Sequence, residues 1–238
     1  MMDFASMCEI GQKENNNDFI GISEDLHCAC FAVADGKNNA AASEIIINSV
    51  LNDFKSSAEI TTTSIPNFFE NAQKELRKEV TCRDPNLDCS MAVLMTNGEM
   101  AVWGHIGDCR IYLLREDLLY EITPDHSAAY AAYEAGDIRY PKIRKRRERH
   151  TLFRHFGAED AFRPEISLPT LIKPGDSFLL CSDGFWEQIH ERQIEKTQRK
   201  SKSASDWLAR MQTIIQKNGS KHKYTRIKDD MSAITIKL

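Results

Sequence analysis

Apolar and polar residues fall into short blocks along the chain, and the spacing inside each block predicts its element. Phe19-Ile20-Gly21-Ile22 and Cys28-Ala29-Cys30-Phe31-Ala32-Val33-Ala34 are compact runs of β-forming and small residues, as expected of strands. The second run stops at Asp35-Gly36. Over residues 41–54 the apolar positions Ile45, Ile46, Val50, Leu51 and Phe54 recur at helical spacing. A second helix is predicted over 65–80, with Pro66 in its first turn and Phe68, Phe69, Ala72 and Leu76 on one stripe.

The middle of the chain reads as a meander. Strands are predicted at 90–95 and 100–105 around Asn97-Gly98, a strong hairpin signal. Two more follow at 110–114 and 118–122. Thr123-Pro124-Asp125 then predicts a helix start, with Thr123 as cap and Pro124 at the first helical position, ending near Gly136. Lys173-Pro174-Gly175-Asp176 is a turn that enters a strand at 177–181. A helix at 205–216 and a last strand at 231–236 complete the pattern. Strand groups between helical pairs, with no internal repeat, predict one α+β domain with antiparallel sheets covered by helices.

Composition narrows the possibilities. The 238 residues are 42% hydrophobic and 28% charged, enough to bury one substantial core. A net charge of -4 argues against bulk electrostatic binding of nucleic acid. No apolar run approaches the roughly 20 residues of a membrane span, and the start Met1-Met2-Asp3-Phe4 lacks signal-peptide character. The 7 Cys form no CxxC pair, so reduced, mostly buried thiols in a cytoplasmic protein are expected. Residues 139–150 are a basic run. They read either as a solvated surface or as a patch that steers acidic, phosphorylated substrates.

One feature recurs: an apolar strand ending in an acid beside Gly or another acid. It is seen at Ala34-Asp35-Gly36, Ile106-Gly107-Asp108, Ser182-Asp183-Gly184 and Lys228-Asp229-Asp230, and Asn17-Asp18 leads into a strand. Singly, each such step is a turn. Together they suit hard divalent cations, which prefer carboxylates, carbonyls and water. His105 reads as a packed strand residue, and His126, His150 and His155 as weaker candidates. No Cys-His pairing marks a nucleophile.

The whole series resembles the type 2C metal-dependent serine/threonine protein phosphatases (PPM) in their bacterial single-domain form. It comprises Gly11-x-Lys13 to Asn17-Asp18, Val33-Ala34-Asp35-Gly36, Gly107-Asp108-Cys109-Arg110 with Tyr112-Leu113, Thr123-Pro124-Asp125-His126-Ser127, Gly157, Leu180-Cys181-Ser182-Asp183-Gly184-Phe185-Trp186 and Asp229-Asp230-Met231-Ser232. The resemblance implies an α-β-β-α sandwich over residues 1–238, with a basic flap at about 137–150. It implies Mn2+ or Mg2+, two ions in the core, with Asp35 bridging them, the Gly36 carbonyl on one, and Asp183 and Asp229 on the other. Asp108 matches a third, weaker metal position, with Glu187 as a further acid for it. Asp18 would orient the attacking water and Lys13 would bind phosphate.

The activity so implied is hydrolysis of phosphoserine and phosphothreonine on proteins. The expected substrates are targets of a serine/threonine kinase, met by a monomer without nucleic acid or membrane. The alternative is a catalytically weak phosphatase-like module that binds phosphoproteins or a partner kinase. It is motivated by departures from the family pattern: Lys13 for Arg, Asn17 for Glu, Asp230 for Asn, Lys37-Asn38-Asn39-Ala40 for a glycine-rich loop, and Asp88-Cys89-Ser90-Met91 for a Gly-Thr-Thr type motif.

Overall fold

Two strands that are apolar on both faces mark the centre of the molecule. β3 (Ala29–Gly36) sends Ala29, Phe31 and Val33 to one side and Cys30, Ala32 and Ala34 to the other. β10 (Ser177–Cys181) does the same with Phe178 and Leu180 against Leu179 and Cys181. A strand buried on both faces cannot alternate with polar residues, and each of these is the middle of a covered sheet. The computed structural model of the chain describes residues 2–25, 28–37, 40–57, 64–80, 87–157, 159–221 and 229–238.

One antiparallel sheet has the order β1-β11-β10-β6-β7, built from β1 (Asp3–Glu9), β6 (Arg110–Arg115), β7 (Leu118–Ile122), β10 and β11 (Met231–Lys237). The other runs β2-β3-β4-β5-β8 with β9 beside β5, from β2 (Asp18–Glu24), β3, β4 (Cys89–Thr96), β5 (Met100–Ile106), β8 (Glu165–Ile166) and β9 (Thr170–Leu171). Phe31, Leu94, Trp103, Ile111, Leu180 and Ile234 meet between the sheets. Helices α1 (Ala40–Ser57) and α2 (Ser64–Val80) cover the second sheet. The first is covered by α5 (Glu191–Lys200) and α6 (Ala204–Lys221), with the short α4 (Asp183–Trp186) beneath them. This is the expected α-β-β-α order.

The helix expected to begin at Thr123 begins later. α3 spans Ala128–Glu134, capped by Ser127, whose hydroxyl accepts from the Tyr130 N–H. Thr123 and Asp125 are engaged elsewhere. The Thr123 hydroxyl accepts from the Ile111 N–H at 2.9 Å, and both Asp125 oxygens accept from Arg110 at 2.6 Å. Those bonds hold residues 123–127 against β6 and delay the helix. The sequence pattern does not predict β1, β8, β9, α4 or α5. Most of β1 lies at an exposed edge, β8 and β9 are two residues each, and α5 buries one apolar residue, Ile194.

The Arg110–Asp125 pair is fully buried, and its guanidinium lies 3.5 Å over the Trp186 ring. Arg110 also donates to the hydroxyls of Tyr112 and Tyr140. It therefore ties β6, the α3 entry, α4 and the basic segment together. Replacing Asp125 by Asn leaves a buried charge half-compensated, so a loss of about 3–5 kcal/mol is expected, measurable by urea unfolding. The basic segment folds as two 3₁₀ turns, Tyr140–Lys145 and Arg147–His150. Ile143 is buried, and Arg144 donates to the carbonyls of Trp186 and Ile189 and to Glu191. The run is thus partly an anchored element and partly a solvated surface.

Candidate active site

The register of the strands carries most of the site. Asp18 of β2 lies opposite Asp35 of β3, and Asp35 lies opposite Ser90 of β4. The Ser90 hydroxyl donates to Asp108 at 2.9 Å, on the turn that leaves β5. That turn needs glycine: Gly107 has φ +91°, and a Cβ there would come 2.1 Å from the Ser90 hydroxyl. Trp186 of α4 donates its indole N–H to the Asp108 carbonyl at 2.9 Å.

The other sheet supplies Asp183 and Asp229. Asp183 opens α4 directly after β10, so it stands at a helix start rather than in the strand itself. A Cβ on Gly184 would lie 2.1 Å from the Asp230 carbonyl and 3.2 Å from Cβ of Asp229. This close approach of backbones brings the α4 start and the 229–230 segment together. Ser182 joins the sheets: its hydroxyl donates to Asp18 at 2.6 Å and accepts from the Ser232 N–H.

Around these acids lies a cavity of about 320 Å3, with Asp35, Asp108, Asp183 and Asp229 in its wall and Lys13 and His150 at its side. Asp18 is buried behind this wall, 4% exposed. The Lys13 ammonium is 2.5 Å from Asp229 and 3.5 Å from Asp230. Asp230 also accepts from the N–H groups of Gly11 and Asn17, which pins the 11–17 loop to the site. The departures at Lys13 and Asp230 therefore make one mutually compensating arrangement. The Asn17 carbonyl accepts from Gly36 N–H and the Ser43 hydroxyl. Asn38 and Asn39 lie outside the described residues, as does Cys82.

Burial and mutual repulsion disturb the acids strongly. Burial, then the charges of Asp18, Asp108 and Asp229, push Asp35 well above the carboxylate range. Burial, then Asp35, Asp108 and Glu187, do the same to Asp183. Asp108 is raised to about 7 by burial and by Asp125. Asp18 is raised to about 6, mainly by burial. Lys13 is raised despite burial, through its bond to Asp229. One oxygen of Asp183, Oδ1, is buried with no hydrogen-bond partner. An orphaned carboxylate oxygen among crowded acids is a poor arrangement by itself. It is a good one for hard divalent cations, and Asp35, Asp183 and Asp229 fit such ions.

The remaining candidates are placed differently. Glu187 is outside the cavity wall, and both its oxygens accept from Arg149 of the second 3₁₀ turn, one of them at 3.0 Å from Nη2. His150 Nδ1 is 3.8 Å from Asp183, and His155 bonds the Phe156 carbonyl. His105 is buried, stacked on His126 at 4.6 Å with its Nε2 on the Pro124 carbonyl, as a packed strand residue. His126 accepts the Gly107 N–H and so braces the turn that carries Asp108. Sequence reasoning missed Ser90, Ser182 and Arg149. A serine or arginine whose partner is 18, 164 or 38 residues away leaves no local signal.

Comparison with known proteins agrees with this fold. A family model described as protein phosphatase 2C matches residues 9–227. The serine/threonine phosphatase stp of Listeria innocua is 24% identical over 189 residues, which is 73% of this chain and 73% of that one. Among solved structures, the PPM Ser-Thr phosphatase MsPP of Mycobacterium smegmatis, in complex with cacodylate, superposes with a TM-score of 0.82 at 21% identity, over 99% of this chain and 97% of that one. The catalytic domain of the serine/threonine protein phosphatase PstP, in complex with 2 manganese ions, gives 0.80 at 20% identity over 99% and 97%.

Proposed function

The chain belongs to the protein phosphatase 2C family, and from that premise we propose that Asp35, Asp183, Asp229 and the Gly36 carbonyl hold two divalent ions in the cavity. It is a metal-dependent protein serine/threonine phosphatase acting on phosphoproteins. The observation that carries the assignment is the convergence of Asp35, Asp183 and Asp229 on one cavity, with Asp183 Oδ1 buried and unpartnered. The two manganese ions of PstP support the choice of Mn2+ or Mg2+.

Such ions activate water and neutralise phosphoryl charge when bound. The chain's own residues do the rest. Asp108, fixed by Ser90 and Trp186, adds a carboxylate to the same wall. Asp18 is a positioning residue: through Ser182 it sets the start of α4 and hence Asp183. Lys13 presents a permanent positive charge at the cavity side, where a phosphoryl group would enter. The exposed Arg139, Lys142, Lys145, Arg146 and Arg147 beside the site draw in acidic phosphorylated segments.

The one core shared by both sheets supports reading residues 1–238 as a single phosphatase domain with its flap at about 137–150. Within this proposal the chain acts as a monomer on proteins phosphorylated by a serine/threonine kinase, with the acids of the cavity wall all drawn from this chain. Among the described residues no helix is long and apolar enough to cross a membrane. Cys30, Cys89, Cys109 and Cys181 are buried and form no disulfide among the described residues, which supports a reducing, cytoplasmic setting. The net charge of -4 speaks against a nucleic-acid partner.

The test is hydrolysis of a phosphothreonine peptide with and without Mn2+. Metal-dependent turnover is expected, and a rate no higher than that of Asp183→Asn would overturn the assignment. Lys13→Ala is expected to raise KM by about tenfold with a smaller effect on kcat, the scale of one charge-assisted hydrogen bond.

A further inference from the structure

Beside the core of the site, three acids share a second region: Asp108, Asp183 and Glu187. Glu187 acts on both of the others as a nearby negative charge. A third divalent ion would be expected to use this set. The structure puts something else there. Arg149 reaches in from the flap, gives Nε and Nη2 to the two oxygens of Glu187, and gives Nη1 to the Arg146 carbonyl at 2.9 Å. Asp183 and Asp108 also act on the same guanidinium as favourable charges. Glu187 and Arg149 side chains are only 15% and 18% exposed, so water screens the pair weakly. One oxygen of Asp108, Oδ1, is engaged as well, since it accepts from Ser90.

We infer that the guanidinium of Arg149 takes the place of a third metal ion, so that this phosphatase holds two ions and closes its third position with a side chain of its own flap. The inference rests on the two-ion reading of the core. Its physical basis is charge and geometry together. Guanidinium stays protonated at every accessible pH and matches a carboxylate with two parallel bonds. A divalent ion on Glu187 would have to displace that fork and then sit against a fixed positive charge. Unlike an ion, the arginine is covalently part of the chain and does not exchange with solvent. Arg144, bonded to Trp186, Ile189 and Glu191, anchors the neighbouring turn to the same wall.

The test counts ions. The full chain is titrated with Mn2+, and bound metal is measured by equilibrium dialysis and by the Mn2+ electron paramagnetic resonance signal. The wild type is expected to saturate at two ions per chain. Arg149→Met, shown to be folded by circular dichroism, is expected to bind a third, weaker ion, and Arg149→Met with Glu187→Gln to return to two. A wild type that takes up three ions overturns the inference whatever the variants do, as does a folded Arg149→Met that stays at two. A wild type that binds fewer than two defeats the core reading itself, so the two failures are told apart.

Discussion

Asp183→Asn is expected to lower turnover of a phosphothreonine peptide by on the order of 10²–10³-fold, the scale for losing one preorganised electrostatic contact in a site, and at the same time to raise the melting temperature of the metal-free chain. Both effects come from one cause. Asp183 is crowded by Asp35, Asp108 and Glu187, its ionised form is disfavoured by burial, and its Oδ1 has no hydrogen-bond partner. A neutral amide removes the repulsion and brings a donor into a cluster of acceptors. The same change removes a charge that the proposed metal centre requires. A residue kept only for packing would lose stability on substitution. A folded, more stable and nearly inactive variant is the signature of a ligand site held in a strained state. Thermal melts in chelator, beside steady-state kinetics in Mn2+, measure the two halves.

Removing metal is expected to abolish turnover and to leave a chain whose stability falls as pH rises above about 6.5. Asp108 holds its proton up to about 7 in the fold, whereas an unfolded aspartate releases it near 3.9. The folded state therefore binds a proton that the unfolded state has lost. That contribution is full below the unfolded value and disappears as pH climbs through 7. Asp35 and Asp183, displaced well upward by burial and neighbouring acids, act in the same sense. His105 and His126, lowered to about 4 by burial, act in the opposite sense. Their effect falls below about pH 6.5, where an unfolded histidine titrates. Between pH 6.5 and 7.5 the chelated chain is expected to lose on the order of 2 °C in melting temperature. Saturating Mn2+ is expected to stabilise most at the alkaline end, since ions and protons compete for the same oxygens. A chelated chain that gains stability over this interval would contradict the crowding of the acids.

Much of this fold was legible from pattern alone. β3 and β10 announced themselves because strands covered on both faces must be continuously apolar, and Asn97-Gly98 marked its hairpin, with Gly98 at φ +85°. α5 did not, because a helix that rests one isoleucine on the core carries no stripe. The delayed start of α3 was hidden for another reason. Thr123 has the chemistry of a cap, but β6 competes for its hydroxyl, and Arg110 competes for Asp125. Local propensity lost to tertiary bonds.

The candidate site shows the same division. The order of acidic motifs pointed to Asp35, Asp108, Asp183 and Asp229, and the fold gathers them around one cavity. What holds them there was not readable. Ser182 links Asp18 to β11, Ser90 holds Asp108, and Asp230 ties down the loop that carries Lys13. These are contacts between positions far apart in the chain. Two apparent departures from the family pattern, Lys13 and Asp230, become intelligible only as a pair. Position alone makes Glu187 a candidate metal ligand, and only the structure shows that Arg149 donates to both of its oxygens.

The most direct test is a crystal of the chain soaked in Mn2+ and measured at the manganese absorption edge. Two anomalous peaks are expected between Asp35, Asp183 and Asp229, with Arg149 still on Glu187. Density showing no ion against Asp35 and Asp183 at saturating Mn2+ would contradict the metal centre.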